Sequence, residues 1–326
     1  MAHKGPGKSW REGVSLMKIM EMFPTEEAAE AWFERQRWGK EGVPTECPKC
    51  GCSGRISVRK SRKPLPYHCG DCRSHFSVRY GTVMQGSKIP LRKWAIAIYL
   101  WVTNLKGVSS MKLHRDLDIG QKAAWFMGQR LREAWSHSGF ADMFPGPVEV
   151  DESFFGGKER NRHFKDKKRL GRGPAGKTNV IGAKDRETGE ITAKVVPNVN
   201  RDTLHGFIMD TVERGATLYT DEAKAYKTIE GHGYEHESVN HSVCQYVNDM
   251  AHTNGVESFW SLLKRGYHGT FHYISPEHLN RYIGEFATRH NLRKLDTIDM
   301  MEATAARMVG KRLTWEKLTE DGAMSA

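Results

Sequence analysis

Residues 147–155 read PVEVDESFF. Successive side chains of an extended chain point to opposite faces, so Val148 and Val150 lie on one side and Asp151 on the other. The stretch predicts a strand that packs its valines into a core and carries a carboxylate on its second face. A carboxylate beside a buried sheet needs a reason to remain charged, and a bound cation supplies one. The neighbouring Glu152 could serve in place of Asp151. Gly156 and Gly157 follow and permit close backbone approach.

Two more acids fall in comparable places. ATLYTD (216–221) predicts a short buried strand that ends on Asp221, and NGVESFWSLLKRG (254–266) predicts a helix that opens around Glu257. Glu257 follows Asp221 by 36 residues, and Lys264 follows Glu257 by seven, two helical turns on the same face. Val256, Phe259, Trp260 and Leu263 supply the packed side of that helix. Three carboxylates that meet in space can hold two divalent metals, and two metals can drive phosphoryl transfer on a nucleic-acid backbone. Lys264 would then reach a phosphate, with Arg265 and His268 nearby. Plainer roles compete: Asp221 as a helix N-cap, and Glu257 closing a capping box begun by Asn254.

Around these acids the chain alternates between strand and helix grammar. TNVIGAK (178–184) and EITAKVVPNV (190–199) predict strands joined by the turn DRETG. RDTLHGFIMDTV predicts a helix, EAKAYKTIEG a weak one, YEHESVNH a short strand, and SPEHLNRYIGEFATRHNL a last helix against the core. Three strands, a helix, another strand and then helices match an α/β ribonuclease-H-like core. Residues 158–177 interrupt the first two strands with nine Lys or Arg against two acids. That basic loop suits a phosphate backbone, with Lys158, Arg160, Arg162, Lys165, Lys167, Lys168, Arg169 and Arg172 as candidate contacts. A solvated loop is the bland alternative.

Upstream, Cys47-x2-Cys50 and Cys69-x2-Cys72 stand 18 residues apart. In a reducing compartment this spacing predicts one structural zinc in a ribbon-like module. Cys52 and His68 are spare ligands beside it, and Cys244 an ordinary buried thiol. CRSHFSVRYGTVM, from Cys72, alternates like a strand rich in arginine and aromatics. PTEEAAEAWFERQRW (24–38) predicts an amphipathic helix capped by Thr25. Residues 90–138 predict three helices, the last two joined by a turn at Asp118–Gly120 in a helix-turn-helix-like arrangement. Its second helix would expose Gln121, Lys122, Gln129 and Arg130 to a DNA groove.

The expected division is a helical segment at 1–43, a zinc ribbon at 44–84, a helix-turn-helix-like domain at 85–143, an α/β core at 144–295 and a tail at 296–326. A net charge of +11 suits a polyanionic partner. No run approaches a membrane span and the first residues lack a signal-peptide core, so a soluble, cytoplasmic protein is expected, nucleoid-associated when on DNA.

CPKCG, YHCGDC, VEVDESFFGGKE, LYTDEAKAY and above all HTNGVESFWSLLKRGYHGTFHYISPEHLNRYIGEF resemble the zinc-ribbon DDE transposases of bacterial insertion sequences, of the ISXO-like type. The likeness runs over about residues 25–295. It implies that Asp151, Asp221 and Glu257 form the catalytic triad and that Lys264 is the accompanying basic residue. It also implies magnesium or manganese as cofactor, double-stranded DNA with terminal inverted repeats and a target DNA as partners, and a homo-oligomer that bridges two ends. Some relatives carry asparagine in place of the glutamate, whereas this chain retains the acid. The rivals are a metal-dependent nuclease without strand transfer and a catalytically silent zinc-containing DNA-binding regulator.

Overall fold

The computed structural model describes residues 12–62, 65–136, 143–157, 165, 176–221, 224–226, 228–239 and 253–323. The chain divides into two compact units, Met1–Ser136 with Leu292–Ala326, and His137–Asn291.

The first unit opens with α1 (Leu16–Met22) and α2 (Glu26–Trp38). Thr25 caps α2 as its sequence predicts: its Oγ1 accepts from Ala28 N, and Glu26 and Glu27 sit in the first turn, where the helix dipole favours acids. β1 (Ile56–Val58), β2 (Tyr67–Cys69) and β3 (His75–Phe76) form a small antiparallel sheet. The expected long strand after Cys72 stops at Phe76. Val78, Val83 and Met84 are pulled instead into the helical core, and turns replace the ladder. Three helices follow, α3 (Leu91–Thr103), α4 (Ser110–Leu117) and α5 (Gln121–Trp135). Asp118, at φ 46°, turns the chain between the last two, a left-handed conformation that Asp tolerates better than most residues.

The second unit is a mixed α/β domain. β4 (Val148–Phe155), β5 (Thr178–Asp185) and β6 (Ile191–Val196) pair antiparallel. Asp185, fully buried, accepts from Gly146 N, Thr188 N and Thr188 Oγ1, which fixes the tight turn that DRETG predicts. α6 (Arg201–Thr211) crosses over to β7 (Thr217–Asp221), which runs parallel to β4, and β8 (Glu235–Val239) adds parallel to β7. The sheet order is β6-β5-β4-β7-β8, so β4 is central. Between β7 and β8 the expected weak helix is two short 3-10 turns, Lys224–Tyr226 and Ile229–His232. α7 (Asn254–Gly266) and α8 (Pro276–Asn291) complete the unit.

Strand alternation sorts this core into two layers. Val148, Val150, Ile181 and Ala183 pack with Leu204 and Phe207 of α6 on one face. Phe155, Val180 and Ala193 pack with Phe259 and Trp260 of α7 and with α8 on the other. α8 also seals the edge strand: Asn291 Oδ1 accepts from Ile191 N, its Nδ2 donates to Ile191 O, and Asn280 Oδ1 accepts from Val195 N.

The chain then returns to the first unit. α9 (Thr297–Arg307) buries Met300, Met301 and Ala305 in the core built by α2, α3 and α5, and α10 (Trp315–Ala323) follows. The expected tail at 296–326 is therefore a core element. The apolar residues of TIDMMEATAARM recur at helical spacing and supply the face that packs. Among the described residues, no helix is long and apolar enough to cross a membrane.

Candidate active site

Two residue clusters have metal-binding chemistry, and each arises from local structure. In the first unit, Cys47 and Cys50 lie on a turn in which Gly51 N donates to Cys47 O, and Cys69 and Cys72 lie on the turn that closes β2. The Cys47 and Cys72 sulfurs are 3.8 Å apart, and those of Cys50 and Cys69 are 3.7 Å apart. A disulfide would need about 2.05 Å. Four thiolates at about 2.3 Å from a central zinc have tetrahedral edges of about 3.8 Å. The observed spacings are those of a zinc cage. Burial pushes the Cys47 thiol up to about 11, whereas the hydrogen bond with Ser74 brings the Cys72 thiol down to about 6, and a bound cation would hold all four as thiolates. Cys52 stands outside the cluster with its Sγ 4.0 Å from Cys50 O, and His68 faces His75 with ring centroids 4.7 Å apart. Neither substitutes for a cysteine. Cys244 lies outside the described residues.

The second cluster sits just past the β4–β7 pairing, in the middle of β4 and at the end of β7. β4 and β7 pair in parallel at Val148–Leu218 and Glu149–Tyr219. The same offset carried two residues on sets Asp151 beside Asp221. Beyond the pairing the strands part, and Glu152, on the α6 face of β4, turns its carboxylate into the opening. One carboxylate oxygen from each of Asp151, Glu152 and Asp221 lies within 4.8 Å of the other two.

The acids are held from both faces of the sheet. On one, Trp260 Nε1 donates to Asp151 Oδ2 at 3.0 Å. A Cβ on Gly182, across from Asp151 on β5, would come within 2.7 Å of the Trp260 ring, so that pair needs glycine. On the other face the fully buried Tyr226 hydroxyl donates to Glu152 Oε1 in a short hydrogen bond. Burial, with lesser contributions from Asp221 and Glu257, raises Asp151 from 3.8 to about 6. Burial, reinforced by Asp221 and Asp151 and opposed by the Tyr226 bond, raises Glu152 from 4.5 to about 7. Acids crowded this way pull a cation in.

Without a cation this crowding costs stability. The folded-state pKa of Asp151 exceeds its unfolded value, so the apo protein loses stability as pH rises from about 4 to about 6, where the unfolded chain ionises first. Asp151→Asn is expected to remove the part of that slope that Asp151 contributes, leaving the part from Glu152. It should stabilise the second unit at pH 7 in chelator by something on the order of 1–3 kcal/mol, read from urea melts at several pH values. A destabilised variant would mean that the buried carboxylate does not cost stability there.

Glu257 lies in the first turn of α7, exposed, with its Oε1 accepting from Thr253 Oγ1 at 2.9 Å. It is close enough to raise the pKa of Asp151 but is not one of the three clustered acids. The helix begins one residue earlier than a box on Asn254 requires: Thr253 is the N-cap and Asn254 is already helical. Lys264 and Arg265 are exposed two turns further along.

Among the candidate DNA contacts, Gln121, Lys122 and Lys165 are exposed. Lys158, Arg160, Arg162, Lys167, Lys168, Arg169 and Arg172 lie outside the described residues. Gln129 and Arg130 are corrections. Gln129 is fully buried, and Arg130 lies 4.2 Å over the Phe126 ring and bonds to Gln85 O. α5 is buried from Met127 to Arg132, because it runs through the core of its unit and cannot offer that face to a groove. Trp315 of α10 packs on Phe126 and on Lys122 of the same stripe.

Sequence reading misses Trp260 and Tyr226 as supports of the acids. Both look like ordinary core aromatics, and the one available signal was their position in the two motifs that carry Glu257 and Asp221.

Comparison with known proteins gives two family matches. The ISXO2-like transposase domain matches residues 143–291, and the transposase zinc-ribbon domain matches residues 24–75. The chain is 28% identical over 285 residues to an uncharacterised protein in transposable element ISH50 of Halobacterium salinarum, covering 85% of this chain and 94% of that relative. It is 32% identical over 97 residues to an uncharacterised transposase-like protein of Haemophilus influenzae, covering 30% of this chain and 77% of that one. The cysteine cage falls within the first matched domain along the chain and the converging acids within the second, and by both measures the chain belongs to the ISXO2-like transposase family.

Proposed function

We propose that this protein is the DNA transposase of an insertion sequence, and that it cuts element ends and joins them to a target in a metal-dependent reaction. The observation that carries the reading is the convergence of Asp151, in the middle of β4, and Asp221, at the end of β7, inside a transposase domain. The 3-2-1-4-5 strand order supports a ribonuclease-H-like core, in which the ends of the central strands carry the chemistry.

Asp151, Asp221 and Glu257 are the ligands in this reading, with Glu152 poised beside them. Two magnesium or manganese ions bound there would lower the pKa of the attacking oxygen and neutralise charge on the phosphate. Trp260 orients Asp151 for that task, and Tyr226 orients Glu152. Lys264, exposed on the helix of Glu257, grips a DNA phosphate, and Arg265, Lys165 and the rest of the basic loop extend the grip. In the first step water attacks a phosphodiester at the element end and a 3'-hydroxyl leaves. In the second that hydroxyl attacks a phosphodiester of the target, so one bond forms as one breaks and no external energy source is needed. The zinc module and the α4–α5 pair, through Gln121 and Lys122, serve end recognition, and two copies of the chain hold two ends.

The test is one incubation of the protein with labelled terminal inverted repeats, plasmid target and magnesium or manganese. Joined product supports transposition. Cleaved ends that never join indicate a nuclease, and bound but intact ends a regulator.

A further inference from the structure

Glu149 is a buried acid that the chemistry above does not use. It lies two residues before Asp151 on the same face of β4, about 7 Å along the strand, and is 2% exposed. Its Oε1 accepts from Arg186 Nε at 2.9 Å, and its Oε2 accepts from the backbone N–H of Val256 at 2.9 Å. Val256 precedes Glu257 in the first turn of α7.

The first N–H groups of a helix have no partner within it and are normally met by the N-cap side chain. Here Thr253 makes no such bond, because its hydroxyl donates to Glu257 instead. Glu149, reaching up from the sheet, takes over the cap. Its negative charge also suits the positive end of the helix dipole. The fit is close: a Cβ on Gly255 would lie 2.6 Å from Glu149 Oε2 and 2.4 Å from Nζ of Lys184, the residue paired with Glu149 on β5. Arg186, which pairs with Glu149, stacks 3.9 Å over Tyr219, the residue paired with Glu149 on β7.

α7 is thus fastened to β4 twice, at Val256 by Glu149 and at Trp260 by Asp151. Four helical residues rise about 6 Å, and two strand residues about 7 Å, so the two fasteners are in register. Glu257 lies between them.

We propose that Glu149 is a positioning residue, which pins the first turn of α7 to the central strand and so sets Glu257 beside Asp151. The inference rests on the reading of Glu257 as a metal ligand. Outer-shell partners of this kind typically change metal affinity by about 10–100-fold.

The test compares wild type, Glu257→Gln, Glu149→Gln and Gly255→Ala in the full chain. Manganese binding at pH 7 is followed by electron paramagnetic resonance and calorimetry, with far-ultraviolet dichroism and zinc content as controls for folding. Glu257→Gln should weaken binding of one manganese ion. Glu149→Gln, which removes the charge at the helix end, and Gly255→Ala, which keeps every charge but crowds the contact, should each weaken the same ion about ten-fold or more and alter its spectrum. If Glu257→Gln weakens binding while both other variants bind as wild type does, the positioning role is overturned and the metal reading stands. If Glu257→Gln binds as wild type does, the reading of Glu257 falls and the positioning role with it. Should Glu149→Gln fail to fold, Gly255→Ala decides alone.

Discussion

Asp221→Asn should abolish metal-dependent cleavage of element ends and leave DNA binding intact. Asn is the same size, so the end of β7 keeps its packing, but one of the charges that hold the cations is gone. Metal ions contribute several kcal/mol of charge stabilisation in such reactions. Losing about 4 kcal/mol slows a reaction about 10³-fold. In the proposed reading the grip on DNA comes from Lys and Arg elsewhere, which the substitution leaves in place. Cleavage rates on labelled ends, beside gel-shift titrations of the same preparation, measure both. A variant that cuts at the wild-type rate would remove Asp221 from the site. Glu152→Gln is the informative contrast and should cost far less. Tyr226 already donates to Glu152 Oε1, and a glutamine there keeps an oxygen to accept that bond.

Loss of zinc should unfold the cysteine module while the α/β unit stands. The buried core of that module is Cys47, Tyr67, Cys69 and Phe76, so two of its four members are themselves metal ligands. The sheet around them has strands of only two or three residues. A core this small cannot offset the chain entropy of ordering the segment. Structural zinc in small modules contributes about 10–16 kcal/mol of apparent binding energy, and that energy is folding energy. Cys69→Ser should therefore lose the metal and with it the amide protection of β2 and β3. Protection in β4 and β5 should remain. The effect should spread to α2, because the Tyr67 hydroxyl donates to Glu34 at 2.6 Å and Arg62 bridges Glu30 and Glu34. Hydrogen exchange with zinc content by mass spectrometry reads all of this. A metal-free variant that keeps β2 protected would show that the ribbon folds unaided.

The strands and their acids were legible because they depend on a period of two and on where an apolar run stops. PVEVD and ATLYTD each end on an acid that the structure brings beside the other, Asp151 in the middle of β4 and Asp221 at the end of β7. The cysteine pairs were legible because zinc coordination fixes both residue type and spacing. What could not be read depends on contacts distant in sequence. Glu149 looks like one more polar residue in an alternating strand, and nothing local says that it will meet the backbone of Val256. Gln129 and Arg130 fall on a helix whose sequence has polar residues to spare. Their burial depends on packing that the helix's own sequence does not show: Arg130, for one, is bonded to Gln85 O, 45 residues upstream. A cap at Asn254 lies one residue too late: Asn254 is a good cap by type, but the helix starts at it, and the sheet supplies the acceptor through Glu149.

The return of α9 to the first unit bears on how the protein is made. Met300, Met301 and Ala305 fill a core whose other walls are α2, α3 and α5. A growing chain emerges from its N-terminus, and domains close as their last residues appear. The α/β unit can therefore finish on the ribosome, while the helical unit waits open for residues still inside the exit tunnel. Chains cut short before Met300 would carry a finished α/β unit attached to an unfinished helical one.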